Sequence, residues 1–207
     1  MTSPLRQMQR PRTIRVVGQD PSLNNWGLAI GTYELETGDI RIQRLGITNP
    51  VLPKGKQVRQ NSLDLEAAEQ LAHAAFKCSR GADVIFVEVP VGSQSARAMA
   101  SYAICIGVLG SLRALGIPFF EVTATEVKLA MTGCKTATKS QMIDAAATLH
   151  PQANWPRYTR KGVTSITEGT AEHMADAIGA IHAGVKLASF RQLMAFSKPL
   201  QLQPTPI

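Results

Sequence analysis

The sequence contains no apolar run long enough to span a membrane, and the basic residues at its N-terminus are not followed by a signal-type apolar stretch. A soluble, cytoplasmic protein is therefore expected. Cysteine is scarce: Cys78, Cys105 and Cys134 are far apart, and no two have the spacing of a zinc site. Buried free thiols are expected, and no histidine constellation marks any of them as a nucleophile. Internal repeats are absent. Acids are outnumbered, 15 Asp and Glu against 22 Lys and Arg, and the resulting charge of +7 is spread along the chain, which favours a polyanion as partner. With 207 residues, 44% of them hydrophobic, the chain can bury one good core but not two full-sized ones, so one domain is expected.

Against this background one carboxylate stands out. Ile14 to Val17 read as a strand, Gly18 allows close backbone approach, and Asp20 comes just before the turn-forming Pro21-Ser-Leu-Asn-Asn. Trp26 to Tyr33 reads as the returning strand, and Ile40, Ile42, Leu45 and Ile47 as a third, giving three antiparallel strands. At the end of a central strand Asp20 is well placed as a metal ligand, although Asp before Pro is also an ordinary turn residue. Actin-like ATPases and sugar kinases open in the same way, but they need a second glycine-rich phosphate hairpin and a second lobe. The chain has neither after Glu88.

Residues 1–12 have no periodicity and read as a flexible basic arm; 13–189 form the expected domain and 190–207 a tail. Helical spacing over Gln57 to Arg80 predicts an amphipathic helix. Asp83-Val-Ile-Phe-Val-Glu88 reads as a strand buried on both faces, and the lone charge at its end requires either a basic partner or a cation. Ser93 to Leu115 is a helix of small and apolar residues, either buried or packed against another subunit. Ile117 to Val122 is a fifth strand. Thr123 to Ala130 and Thr136 to Leu149 are helices, the second with a capping box from Thr138 to Gln141. His150 to Gly169 mixes Trp155 and Tyr158 with Arg157, Arg160 and Lys161, a composition suited to nucleic-acid contact or to a solvated loop pinned by one aromatic.

The last helix, expected over Thr170 to Leu187, carries His173 and Asp176 three residues apart on one face, with Glu172 four residues before Asp176. Taken alone, this is also the spacing of a surface pair. Together with Asp20 and Glu88 it makes a set of hard ligands suited to Mg2+ or Mn2+, since several acids in one place repel unless cations bridge them. Two such ions can activate a water and stabilise the leaving oxygen of a phosphodiester, which on a basic protein describes a nuclease.

From about Val16 to Ala183 the order of elements resembles the RNase H-like fold of RuvC-type Holliday junction resolvases. The motifs are Gly18-Gln-Asp20-Pro-Ser, where the family has Gly-x-Asp-Pro-Gly, Val87-Glu88, Glu126-Val-Lys128 with Thr132-Gly133, Lys139-Ser-Gln141 and His173-x-x-Asp176. The resemblance implies an α/β fold: a five-stranded mixed sheet, three antiparallel strands then two parallel, flanked by helices. It implies that Asp20, Glu88, His173 and Asp176 hold two Mg2+ or Mn2+ ions, with Asp20 bridging them, and that Lys128 and Lys139 lie near the scissile phosphate and the junction strands. It further implies a homodimer joined through the helix over residues 93–115, acting on four-way DNA junctions by paired symmetric nicks that leave 5′-phosphate ends. Other functions for the same fold are a ribonuclease or rRNA-processing nuclease and a non-catalytic junction-binding protein. Ser22 departs from the motif, and the aromatic that bacterial members carry after Glu88 is missing. The long insertion over His150 to Gly169 and the long tail suggest a divergent member, of phage or of host.

Overall fold

β-Branched residues favour extended backbone. In the computed structural model, which describes residues 13–55 and 59–196, Ile14, Val16 and Val17 lie in the central strand β1 (Thr13–Asp20). β2 (Trp26–Glu34) pairs antiparallel with β1, and β3 (Ile40–Thr48) antiparallel with β2. On the other side β4 (Val84–Glu88) pairs parallel with β1, and β5 (Phe120–Val122) parallel with β4. The sheet order is β3-β2-β1-β4-β5, the mixed five-stranded sheet that the family resemblance implies.

Side-chain alternation divides the core into two layers. Val17, Ile85 and Val87 pack against α1 (Gln60–Ser79) and α2 (Ala96–Ala114). Val16 and Phe86 face the other way, toward α3 (Ala124–Thr132), α4 (Lys139–Leu149), α5 (Glu168–Gly184) and α6 (Ala188–Phe196). β4 is thus buried on both faces, as its unbroken apolar run requires. Its end is where the charge begins.

The approach of α5 to the sheet is set by glycine. A Cβ at Gly18 would collide with the carbonyl oxygen of Ala177, and one at Gly27 with that of His173, so the helix lies directly on the backbone of β1 and β2. Both α3 and α4 begin in complete capping boxes, Thr123 with Glu126 and Thr138 with Gln141. These fix where the helices start, and with them the positions of Lys128 and Lys139.

Three features differ from expectation. The stretch expected to be loop contains a hairpin, β6 (Arg157–Arg160) and β7 (Val163–Ile166), tied down by the buried Trp155, whose Nε1–H donates to the His150 carbonyl. The tail boundary expected at residue 190 falls inside α6, because Phe190 is buried against Phe86, Phe120 and Tyr33 at ring separations of 5.3, 5.8 and 5.7 Å. Of the thiols, Cys78 and Cys105 are buried but Cys134 is exposed, since it follows Gly133, the left-handed residue that ends α3. The N-terminal arm and residues 197–207 of the tail lie outside the described residues. Among those described, no helix is long and apolar enough to cross a membrane.

Candidate active site at the ends of the parallel strands

The parallel register pairs Gln19 with Val87, which puts the next residues, Asp20 and Glu88, side by side at the ends of neighbouring strands. Alternation turns both toward α5, on the face shared by Gly18 and Phe86. The first turns of α5 then supply His173 and Asp176. These four side chains line one cleft of about 290 Å³ with Glu172 and Tyr102. Residues separated by more than 150 positions in the chain meet here because Gly18 and Gly27 leave no side chain between helix and sheet.

Asp20 and His173 are in direct contact, Oδ2 to Nδ1 at 2.6 Å. The carboxylate can only accept, so the ring donates Nδ1–H; this fixes its orientation and raises the pKa of His173. Glu88 is pushed up to about 8, first by burial and then by the charges of Asp20 and Asp176, with Lys128 opposing. Asp176 is pushed up to about 7 by burial and by Asp20 and Glu172, against His173 and Lys128. Two half-buried acids are therefore held with pKa values near neutrality in a cleft short of positive charge. A divalent cation among them would remove the repulsion and restore both carboxylates to their ionised form.

The donor set, three carboxylates and one imidazole, fits Mg2+ or Mn2+ in hardness and in charge. As placed, no group of three or more His, Cys, Asp or Glu among the described residues is gathered tightly enough to hold one metal ion. The fit is therefore one of chemistry and of a shared cleft.

Of the basic residues predicted to contact a polyanion, Lys128 on α3 is half-buried, and its charge acts on both Glu88 and Asp176. Lys139, at the start of α4, is held by Glu172 through a 2.6 Å ion pair at the edge of the cleft. Glu172 lines the cleft, but its carboxylate is engaged by that lysine. Arg157, Arg160 and Lys161 do not line the cleft; they are exposed on the β6–β7 hairpin, which leads directly into α5. Tyr102 has no counterpart among the predicted site residues. Its only signal in the sequence is that it is the sole aromatic of α2.

RuvC of Thermus thermophilus in complex with a Holliday junction substrate superposes with a TM-score of 0.57 at 14% identity, covering 88% of this chain and 96% of that one. The chain has the fold of RuvC. A second Thermus thermophilus RuvC structure gives 0.54 at 17% identity, covering 88% of this chain and 97% of that one. No protein-family model and no curated protein matches the chain. At these identities the likeness is one of fold, and it extends over nearly the whole of RuvC, so sheet and helices correspond as a unit.

Proposed function

We propose that the protein is a divalent-metal-dependent, structure-selective endonuclease that resolves four-way DNA junctions by paired symmetric nicks, leaving 5′-phosphate ends, in recombination or repair. The observation that carries this reading is the meeting of Asp20, Glu88, His173 and Asp176 in one cleft at the strand ends of a RuvC fold. The structure used as comparison holds a Holliday junction, which supports branched DNA as the substrate class.

Asp20, Glu88, Asp176 and His173 would hold two Mg2+ or Mn2+ ions. When bound, such ions activate a water and stabilise the leaving oxygen of an in-line displacement. The chain's own groups prepare the site for them. Asp20 fixes the His173 tautomer through its 2.6 Å contact, as a hydrogen-bonded partner does for a metal-ligating histidine. Lys128 offsets part of the acidic charge that would otherwise repel a phosphate. Lys139, held by Glu172, stands ready to exchange that partner for a phosphate oxygen. Arg157, Arg160 and Lys161 would hold phosphates further along the strand.

Paired nicks require two cleavage sites. α2 buries Cys105, Val108, Leu109 and Leu112, but Met99, Ala100, Ala103, Ile106, Gly107 and Gly110 remain exposed along its other side. This bare stripe of small and apolar residues supports a homodimer joined through α2. Such an enzyme would work in the cytoplasm of a bacterial or phage-infected cell.

The test is cleavage of a labelled synthetic four-way junction, beside linear duplex and RNA–DNA hybrid, with Mg2+ or Mn2+. Wild type should nick the junction symmetrically, and Asp20→Asn should bind it without nicking. Cutting of the hybrid alone would move the substrate to RNA-containing duplexes. Junction binding without any metal-dependent cutting would leave a purely architectural role.

A further inference from the structure

The β6–β7 hairpin forms a two-stranded sheet apart from the main one. Its turn is Lys161-Gly162, with φ of 50° and 78°, the two positive values of the tightest hairpin connection. Arg157 pairs with Ile166, Tyr158 with Ser165, Thr159 with Thr164 and Arg160 with Val163. One face is therefore Arg157, Thr159, Thr164 and Ile166. Thr159 and Thr164 share a hydrogen bond of 3.0 Å, and Ile166 packs on the core. The Thr167 N–H closes the base by donating to the Pro156 carbonyl at 2.8 Å.

The other face carries Tyr158, Arg160 and Val163. Tyr158 is 51% exposed and Val163 65% exposed, and among the described residues the Tyr158 side chain makes no hydrogen bond or ring contact. No acid occurs between Pro156 and Thr167, and no described residue forms an ion pair with Arg157, Arg160 or Lys161. A bare aromatic ring among unpaired cations is the chemistry of a base-stacking platform on a polyanion. Paired bases within a duplex do not offer a π face to such a ring, whereas unstacked nucleotides do. The base of the hairpin lies close to the cleft, because β7 runs straight into α5. From Glu168 to Asp176 α5 rises roughly 12 Å.

We propose that the β6–β7 hairpin is a nucleotide-reading arm, in which Tyr158 stacks on an unstacked base of the strand whose phosphates Arg160 and Lys161 hold. The reading rests on the nucleic-acid function proposed above and names its substrate class: DNA with unpaired or unstacked nucleotides near the cut, as at a branch point. Tyr158 is a specificity residue, separate from the metal-binding acids.

The test uses the full chain in chelator, so that binding is measured without cleavage. The probes are a four-way junction with 2-aminopurine at the crossover, the same junction labelled within an arm, and a linear duplex. Wild type should alter the crossover fluorescence but not the arm fluorescence. Tyr158→Ala should lose that signal and bind the junction roughly 5- to 100-fold more weakly, with duplex binding unchanged, and Tyr158→Phe should restore both. Arg160→Ala should weaken binding to every DNA and lower its salt dependence. Wild-type nicking of the junction, with Tyr158→Ala equal to wild type in signal and affinity, would overturn the arm alone. Failure of wild type to bind any of the DNAs would overturn both the arm and the nuclease reading, leaving the hairpin face to a protein partner.

Discussion

Asp20 is both a carboxylate at a strand end and the fixed acceptor for His173, and that double engagement sets what its loss should do. Asp20→Asn removes a metal-binding charge and leaves the imidazole only a neutral amide acceptor, so junction cleavage should fall at least about 100-fold while junction binding persists. His173→Ala should cost roughly 10- to 100-fold, with a raised metal requirement, read from cleavage rate against Mg2+ concentration. Glu88 runs the other way in stability. It is a half-buried acid raised to about 8 by desolvation and by its acidic neighbours, so Glu88→Gln should abolish nicking yet raise the melting temperature in chelator by a few degrees, about 1 kcal/mol. Adding Mg2+ should then stabilise wild type more than the variant. Gly27 tests the packing beneath the site: Gly27→Ala drives a methyl group into the His173 carbonyl oxygen and should destabilise by roughly 1–3 kcal/mol. A melting temperature unchanged in Gly27→Ala would mean that α5 can lift away from the sheet freely.

Among elements, the joint between α4 and α5 should be sensitive to pH. His150 ends α4, is only 3% exposed, and meets His182 of α5 Nε2 to Nε2 at 2.8 Å. One ring must donate and the other accept, so the contact holds only while at least one is neutral. Burial lowers the pKa of His150; burial, then His150 and Lys186, lowers that of His182 to about 4. The folded protein resists protonation that the unfolded chain accepts from about 6.5 downward, so stability should be lost as pH falls from 6.5 toward 4, by roughly 1.4 kcal/mol per pH unit for one histidine. Urea midpoints between pH 4 and 7 should show this slope in wild type and a shallower one in His182→Asn; equal slopes would exclude the pair as its source. Neither partner was legible from the sequence, because His150 and His182 lie 32 residues apart and nothing local joins them. What was legible is what local pattern controls: the capping box at Thr138, the buried run of β4, the helical spacing of His173 and Asp176, and close approach at Gly18. The β6–β7 hairpin was hidden because its strands are short and mostly polar, and its turn puts a lysine at positive φ. α6 was hidden because Phe190 finds its aromatic partners on β2, β4 and β5. Tyr102 reaches the cleft only through tertiary packing.

For the molecule as a whole, the open question of energy is the exposed side of α2. Ala100, Ala103, Ile104 and Gly107 form with Leu65, Ala68 and Ala72 of α1 an apolar groove of about 720 Å³, and Leu65 and Ile106 are 71% and 48% exposed. A monomer gains nothing by leaving these residues bare, whereas small residues let a second α2 approach closely and cover them. A two-fold axis through α2 would also set two cleavage sites a fixed distance apart, as cutting two opposed strands demands. Ile106→Glu puts a charge into that surface while leaving the buried side of α2, with Cys105, Val108 and Leu109, unchanged. Sedimentation should then show wild type as a dimer and the variant as a monomer, at unchanged circular dichroism. On a junction held in a supercoiled plasmid, wild type should release linear product directly, because both cuts fall within the life of one complex, and the variant should accumulate the singly nicked circle. Direct linear product from a monomeric variant would place the coupling of the two cuts in the DNA and not in the dimer.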